Sequence, residues 1–247
     1  HEVVNGMMKQ QHVAPDKLLL ALISVGTGND WIKTHNISPH FKEAIQQIKA
    51  GHTIVQDVGK IEYLNGDATS KTRYFVNSVG IGFDAQVVKY TLKNREKGKT
   101  NKSMYFSGLV RTLFSNRNVK GLLHLDNEPL ETKIYNLSVG VCRFKGGGFK
   151  MLPNAVPDDG KLDVTLASRI SKRKLLSSLP KLFSGHVDKI KYFDFYQVKE
   201  LVLDIPTPLC TEADGEFLGY HPLRISVIPN QLKLISAFHS KETTETK

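Results

Sequence analysis

The chain has 247 residues, a formal net charge of +10, and is 40% hydrophobic and 23% charged. This is the composition of a globular protein with one large or two smaller domains, and it excludes a largely disordered chain. No stretch approaches the roughly 18 consecutive apolar residues of a membrane-spanning helix, and residues 1–11 (HEVVNGMMKQQ) lack the basic start and apolar run of a secretory signal, so the expectation is a cytoplasmic protein.

The first residues read as the inside of a helix, with Val3, Val4, Met7 and Met8 on one face. Leu18 to Val25 (LLLALISV) is a continuous apolar run of strand length, the pattern of a parallel strand buried on both faces. It stops at Gly26-Thr27-Gly28-Asn29-Asp30, and a helix follows over Pro39 to Ala50 with Phe41, Ala44, Ile45 and Ile48 sharing a face. A strand, glycine loop and helix in that order belong to an α/β arrangement, with a ligand expected at the carboxyl end of the strand.

Beyond about Gly59 the texture changes to short alternating segments: Tyr74 to Val79, Lys133 to Val141, Leu162 to Ala167, Leu201 to Ile205 and Leu223 to Ile228. This predicts an antiparallel sheet system, interrupted by helices over Asp84 to Asn94, Ser103 to Phe114 and Lys172 to Gly185, the last kinked or split at Pro180. The predicted organisation is an α/β unit over 1–58, a β-rich unit over 59–238 and a disordered polar tail over 239–247. Cys142 and Cys210 lie in apolar surroundings without ligand spacing, which predicts buried free thiols.

Three constellations can carry chemistry. In the Gly26 to Asp30 loop, glycines let backbone amides approach a phosphate and Thr27 and Asn29 add donors, although the same residues also suit a plain strand-to-helix turn with a capped helix. In Val156-Pro157-Asp158-Asp159-Gly160-Lys161-Leu162-Asp163 three carboxylates within a short span can hold a hard cation, or the Asp-Gly pair can simply lead into a strand. In Thr211-Glu212-Ala213-Asp214-Gly215-Glu216 the Asp-Gly pair predicts a hairpin that presents Asp214 and Glu216, one of which could act as a general base. No histidine pair at zincin spacing, GxSxG elbow, Walker A motif or protein-kinase signature occurs. The basic charge favours anionic partners, but no aromatic RNA platform or helix-turn-helix is present, so nucleic acid is not expected.

Taken in order, HEVVNG at 1–6, VGTGNDW at 25–31, VNSVGIGFDAQV at 76–87, GGGFKMLPNAVPDDGKLDV at 146–164 and ADGE at 213–216 resemble the bacterial diacylglycerol kinase catalytic domain, which shares a superfold with NAD kinases and sphingosine kinases. The resemblance implies an α/β nucleotide-binding domain, here incomplete, plus a larger antiparallel β-sandwich-like domain, with ATP and Mg²⁺ as cofactors and a lipid hydroxyl at the membrane surface as phosphoryl acceptor. It implies a nucleotide site that includes Gly26, Thr27, Gly28 and Asn29, with Glu2 and Asn5 close to the phosphate end. It further implies a structural Mg²⁺ held by the Asp159 side chain and the Val156 and Lys161 carbonyls, with Asp30 in an acidic network leading from it. Glu216 resembles the proton acceptor, with Asp214 as its rival. Because the family's main phosphate loop comes just before the segment at His1, the chain as given is expected to bind ATP poorly and to have little activity. The alternatives are a NAD kinase-like enzyme acting on a soluble nucleotide and a non-catalytic protein that binds anionic lipid.

Overall fold

A computed structural model of the chain describes residues 1–26, 29–64, 66, 68–95, 111–113 and 115–237. In chain order its first half contains α1 (Glu2–Lys9), β1 (Leu19–Leu20), α2 (Asp30–Thr34), α3 (Phe41–Ala50), β2 (Thr53–Leu64), β3 (Ser70–Phe75), β4 (Ser78–Gly82), α4 (Phe83–Arg95), β5 (Val119–Leu125) and β6 (Glu128–Gly140). There follow β7 (Leu162–Ser168), α5 (Lys172–Phe183), β8 (Phe193–Val198), β9 (Glu200–Asp204), β10 (Thr211–Ala213), β11 (Glu216–Gly219) and β12 (His221–Ile235). The helix expected over Ser103 to Phe114 falls almost wholly outside the described residues, as does the tail over 239–247.

The strands form one 12-stranded sheet in the order β11-β10-β4-β6-β5-β9-β12-β2-β3, with β7 and β8 branching from β6 and β1 attached to β12. Two long strands hold it together. The first half of β6 pairs with β5, and its second half lies between β4 and β7. β12 runs the whole length of β2 and also meets β9 and β1. Apolar residues from both parts of this curled sheet, among them Ile61, Phe75, Ile81, Leu137, Leu166, Leu201 and Ile225, meet in one fully buried core. Their alternation with polar residues along each strand produces such a sandwich, because successive side chains point to opposite faces. β2 passes through Val58 without a break.

The long doubly buried strand expected over Leu18 to Val25 is not formed. Only Leu19 and Leu20 pair, in parallel with Lys233 and Leu234, while Ile23 is 42% and Val25 93% exposed. Their partner β12 ends at Ile235 and no other described strand flanks β1, so nothing extends the ladder or covers its second face. The predicted faces of α1 and α3 are each only partly buried: Val4 and Ala44 are in the interior, whereas Val3 and Phe41 are exposed. The break expected at Pro180 does not occur, and α5 continues to Phe183. A proline there removes one helical donor, to the carbonyl of Leu176, and that turn is on the exposed side where water can replace it. Cys142 and Cys210 are both free and buried, as expected.

Candidate active site

The β10–β11 hairpin is the two-residue turn that an Asp-Gly pair favours. Ala213 pairs with Glu216, and Asp214 and Gly215 take φ values of 49° and 85°. Positive φ at both central positions matches the right-handed twist of the flanking strands. Asp214 looks inward. Its Oδ1 accepts the backbone N–H groups of Asn77 and Ser78, each at 3.0 Å, and its Oδ2 that of Val76 at 2.9 Å. The crossing between β3 and β4 is thereby fastened to the turn. Burial pushes the Asp214 carboxyl up, and these amide donors oppose the shift.

Glu216 points the other way, towards α1. Its Oε1 lies 2.7 Å from His1 Nε2, and its Oε2 accepts from the Arg73 guanidinium, which also donates to Glu2. Arg73 holds the Glu2 carboxyl below the usual carboxylate range. The structure therefore brings together Glu2 and Glu216, which lie 214 positions apart in the chain, around one guanidinium. α1 is held over this site by Asn5, whose side chain bonds the Tyr74 N–H at 3.0 Å and carbonyl at 2.7 Å. The Asn5 amide is thus spent on docking α1 to β3.

Of the glycine loop, Thr27 and Gly28 lie outside the described residues. The Asn29 side-chain amide donates to the Gly26 carbonyl and to Ser24 Oγ, which ties Asn29 to the residues just before the loop. Asp30 opens α2 and accepts the Gly147 N–H at 2.7 Å, with Lys33 Nζ 3.2 Å from its other oxygen. Its contacts lead to the triple-glycine loop. The next residue, Trp31, donates to Gln56 on β2, and Gln56 in turn donates to the Val76 carbonyl, beside the amides that Asp214 holds.

The Val156 to Lys161 loop is organised by a residue that sequence reasoning missed. Asp57 lies in mid-strand on β2 opposite a bulge in β12, and it is fully buried. Its N–H donates to the Pro157 carbonyl, its Oδ2 accepts the Gly160 N–H at 2.6 Å, and its Oδ1 accepts the Asn230 N–H at 2.9 Å. Asp159 Oδ1 accepts the Lys161 N–H at 3.0 Å. Burial pushes the Asp57 carboxyl up, with Asp159 and Asp158 adding to the shift, and burial with Asp159 nearby pushes Asp163 up to about 6. Asp57, Asp158, Asp159 and Asp163 thus concentrate negative charge at this loop, a surplus that a hard cation would offset.

A third group escaped sequence reasoning as well. Lys145 forms a buried ion cluster with Glu212 and Asp84 behind the hairpin. Glu212 lies inside the hairpin motif, and the cluster is what makes a glycine necessary in VGIG. A Cβ at Gly80 would lie 2.3 Å from Lys145 Nζ and 2.5 Å from Glu212 Oε1.

Residues 77–236 match the family described as the YegS C-terminal NAD kinase β sandwich-like domain, and residues 1–61 match the diacylglycerol kinase catalytic domain. A diacylglycerol kinase of Mycobacterium tuberculosis is 28% identical over 231 residues, covering 93% of this chain and 72% of that protein. A Staphylococcus haemolyticus protein named as a lipid kinase is 28% identical over 237 residues, covering 96% and 72%. The crystal structure of a Bacillus anthracis protein assigned to the diacylglycerol kinases superposes with a TM-score of 0.69 at 24% identity, covering 88% of this chain and 69% of that one. At that identity the likeness is one of fold. Among the described residues no helix is long and apolar enough to cross a membrane.

Proposed function

Because the chain belongs to the diacylglycerol kinase and lipid kinase family, we propose that it carries the site at which the full-length kinase passes the γ-phosphoryl group of ATP to a lipid hydroxyl, with Glu216 as proton acceptor. The observation that carries this reading is the division of labour at the hairpin. Both Asp214 oxygens are engaged by backbone amides, whereas Glu216 keeps 41% of its side chain accessible beside Glu2 and Arg73. Glu216 takes the hydroxyl proton as the lipid oxygen bonds to the γ-phosphorus. The bond from that phosphorus to the bridging oxygen breaks, and ADP leaves with the electron pair. Arg73 is a fixed positive charge where the phosphoryl oxygens would gather, and fixed charges are worth most where charge develops.

Gly26, Thr27, Gly28 and Asn29 are proposed to face the nucleotide, with Glu2 at its phosphate end. The Asp159 carboxylate and the Val156 and Lys161 carbonyls would hold Mg²⁺, and Asp57 positions that loop. When bound, the cation supplies positive charge that steadies the loop and offsets the neighbouring carboxylates. A division of the chain near Val58 is retained as a proposal on the change of texture there. Exposed Lys172, Arg173 and Lys174 beside Leu176, itself 46% exposed, support α5 as a surface that meets anionic lipid. The test is to incubate the full-length protein with labelled ATP and either diacylglycerol-containing vesicles or NAD. Label in the lipid, lost in Glu216→Gln, is the expected result. Label only in NADP, or undiminished turnover in the variant, would overturn the reading.

A further inference from the structure

The Lys145 cluster sits between the two halves of the candidate site. Lys145 is 8% and Glu212 1% exposed, with Nζ 2.6 Å from Glu212 Oε1 and 3.3 Å from Asp84 Oδ2. The same Asp84 oxygen accepts from Ser138 Oγ at 2.8 Å and from Asn136 Nδ2 at 3.0 Å, which fixes α4 to β6. The second Glu212 oxygen accepts the Gly215 N–H at 2.8 Å and so holds the Asp-Gly turn from beneath, next to Glu216. In the other direction, the Lys145 backbone exchanges two hydrogen bonds with Phe149, at 2.8 and 2.9 Å, closing the Gly146–Gly148 loop. Gly147 takes φ 91°, which a glycine accepts without strain, and passes its N–H to Asp30 at the start of α2. Every step from Asp30 to the turn that bears Glu216 is thus a hydrogen bond, an ion pair or a few residues of chain.

We propose that Lys145 is a positioning residue, a buried ammonium that couples the nucleotide-side loop and α2 to the Glu216 turn and fixes the distance between them. The proposal rests on the assignment of Glu216 as proton acceptor. Burying one ammonium with two carboxylates is a poor way to gain stability, since apolar groups of similar volume often do as well or better. What such a cluster does provide is a fixed pairing of charges: Nζ meets both carboxylates as ion pairs without hydrogen-bond alignment, and none of the three groups can move away alone without leaving a buried charge uncompensated. Glu212 cannot leave Lys145 without exposing a buried charge, and it cannot stay while the turn amide at Gly215 moves. Burial works against the ammonium, but Glu212 and Asp84 outweigh it and hold Lys145 above its ordinary value, so the ammonium stays charged at neutral pH. Burial pushes Glu212 up despite Lys145. A Cβ at Gly80 would collide with all three members of this cluster.

The experiment compares Lys145→Met with the double variant Lys145→Met/Glu212→Gln in the full-length protein. Three quantities are read: steady-state kinetics with ATP and diacylglycerol vesicles, melting temperature, and amide exchange in peptides covering 145–149 and 211–219. Lys145→Met removes the charge at similar length. It is expected to lower kcat about tenfold or more, since small misplacements of a reacting group cost that much, with KM for ATP little changed. Exchange in both peptides should quicken together, by about tenfold. The double variant removes the surplus carboxylate while the side-chain amide oxygen at position 212 can still accept from Gly215, so it should recover the melting temperature but not kcat. Recovery of kcat along with stability, or unchanged exchange in either peptide of the single variant, would overturn the proposal. If the wild-type kinase phosphorylates no lipid, the Glu216 assignment fails on that arm, and the exchange arm still decides whether Lys145 couples the two loops.

Discussion

Replacing Asp214 by Asn and Glu216 by Gln should separate two roles that the sequence leaves interchangeable. In Asp214→Asn the amide oxygen can keep two of the backbone donors, Asn77 and Ser78, but its NH₂ must then face the Val76 N–H that Oδ2 accepts. One charge-assisted hydrogen bond becomes a donor–donor contact and two others lose their charge. With about 1.5 to 3 kcal/mol for each charged bond, less the relief of no longer burying a carboxylate, the net cost is about 3 kcal/mol. For a chain of this size that lowers the melting temperature by about 6 to 12 °C. Glu216→Gln keeps a neutral acceptor beside Arg73 at a position that is 41% accessible, and it should cost under about 1 kcal/mol. Its effect falls instead on turnover, lowered roughly a hundred- to ten-thousandfold when a general base is lost. Scanning calorimetry and initial rates of phosphoryl transfer, run on the same preparations, read both effects. If Asp214→Asn melted within about 2 °C of wild type and lost turnover while Glu216→Gln kept it, the assignments would be reversed.

His35 is fully buried, and desolvation holds its imidazole down to about 4, so it stays neutral in the folded protein while an unfolded chain takes up a proton near the ordinary value of 6.5. Stability tied to this group is present above that value and drains away as pH falls towards about 4, a loss of about 3 kcal/mol in all. His35→Gln should flatten urea midpoints over that window, and an unaltered slope would show the acid sensitivity lies elsewhere. Millimolar Mg²⁺ should raise the melting temperature of the wild-type protein and chelation should reverse it, whereas Asp159→Asn should respond weakly. Equal responses would remove Asp159 from the cation site. Phe75 is fully buried and its ring covers Gly59 across the strand pair, so Phe75→Ala should cost about 3 to 5 kcal/mol in denaturant unfolding. A cost under about 1 kcal/mol would mean that the sandwich core is not packed as described.

What could be read from the sequence was chemistry completed within a few residues. The Asp214-Gly215 turn needs positive φ at two adjacent positions, and that demand is written in the residues themselves. The β segments from Lys133 onwards and the helix at Phe83–Arg95 are legible for the same reason, because alternation and helical spacing are local patterns, whereas the single strand expected over Tyr74 to Val79 is divided between the end of β3 and the start of β4 by the crossing at Val76 and Asn77. The apolar run at Leu18 to Val25 misled because burial depends on what lies alongside, and only two residues of β12 do so.

Nothing local marks Arg73 as the partner of both Glu2 and Glu216, and nothing around Asp57 says that a bulge in β12 will bring Asn230 to it. Lys145 looks like one more basic residue in a charged chain until the sheet sets it against Glu212 and Asp84. The hairpin motif on its own establishes that two carboxylates stand at one turn. Strand register alone decides that Asp214 turns inward to the amides of the β3–β4 crossing while Glu216 faces the helix that begins the chain. Asp214 lies in the turn and Glu216 on the strand that leaves it, and what each meets is set by the strands alongside, which in this fold come from distant parts of the chain.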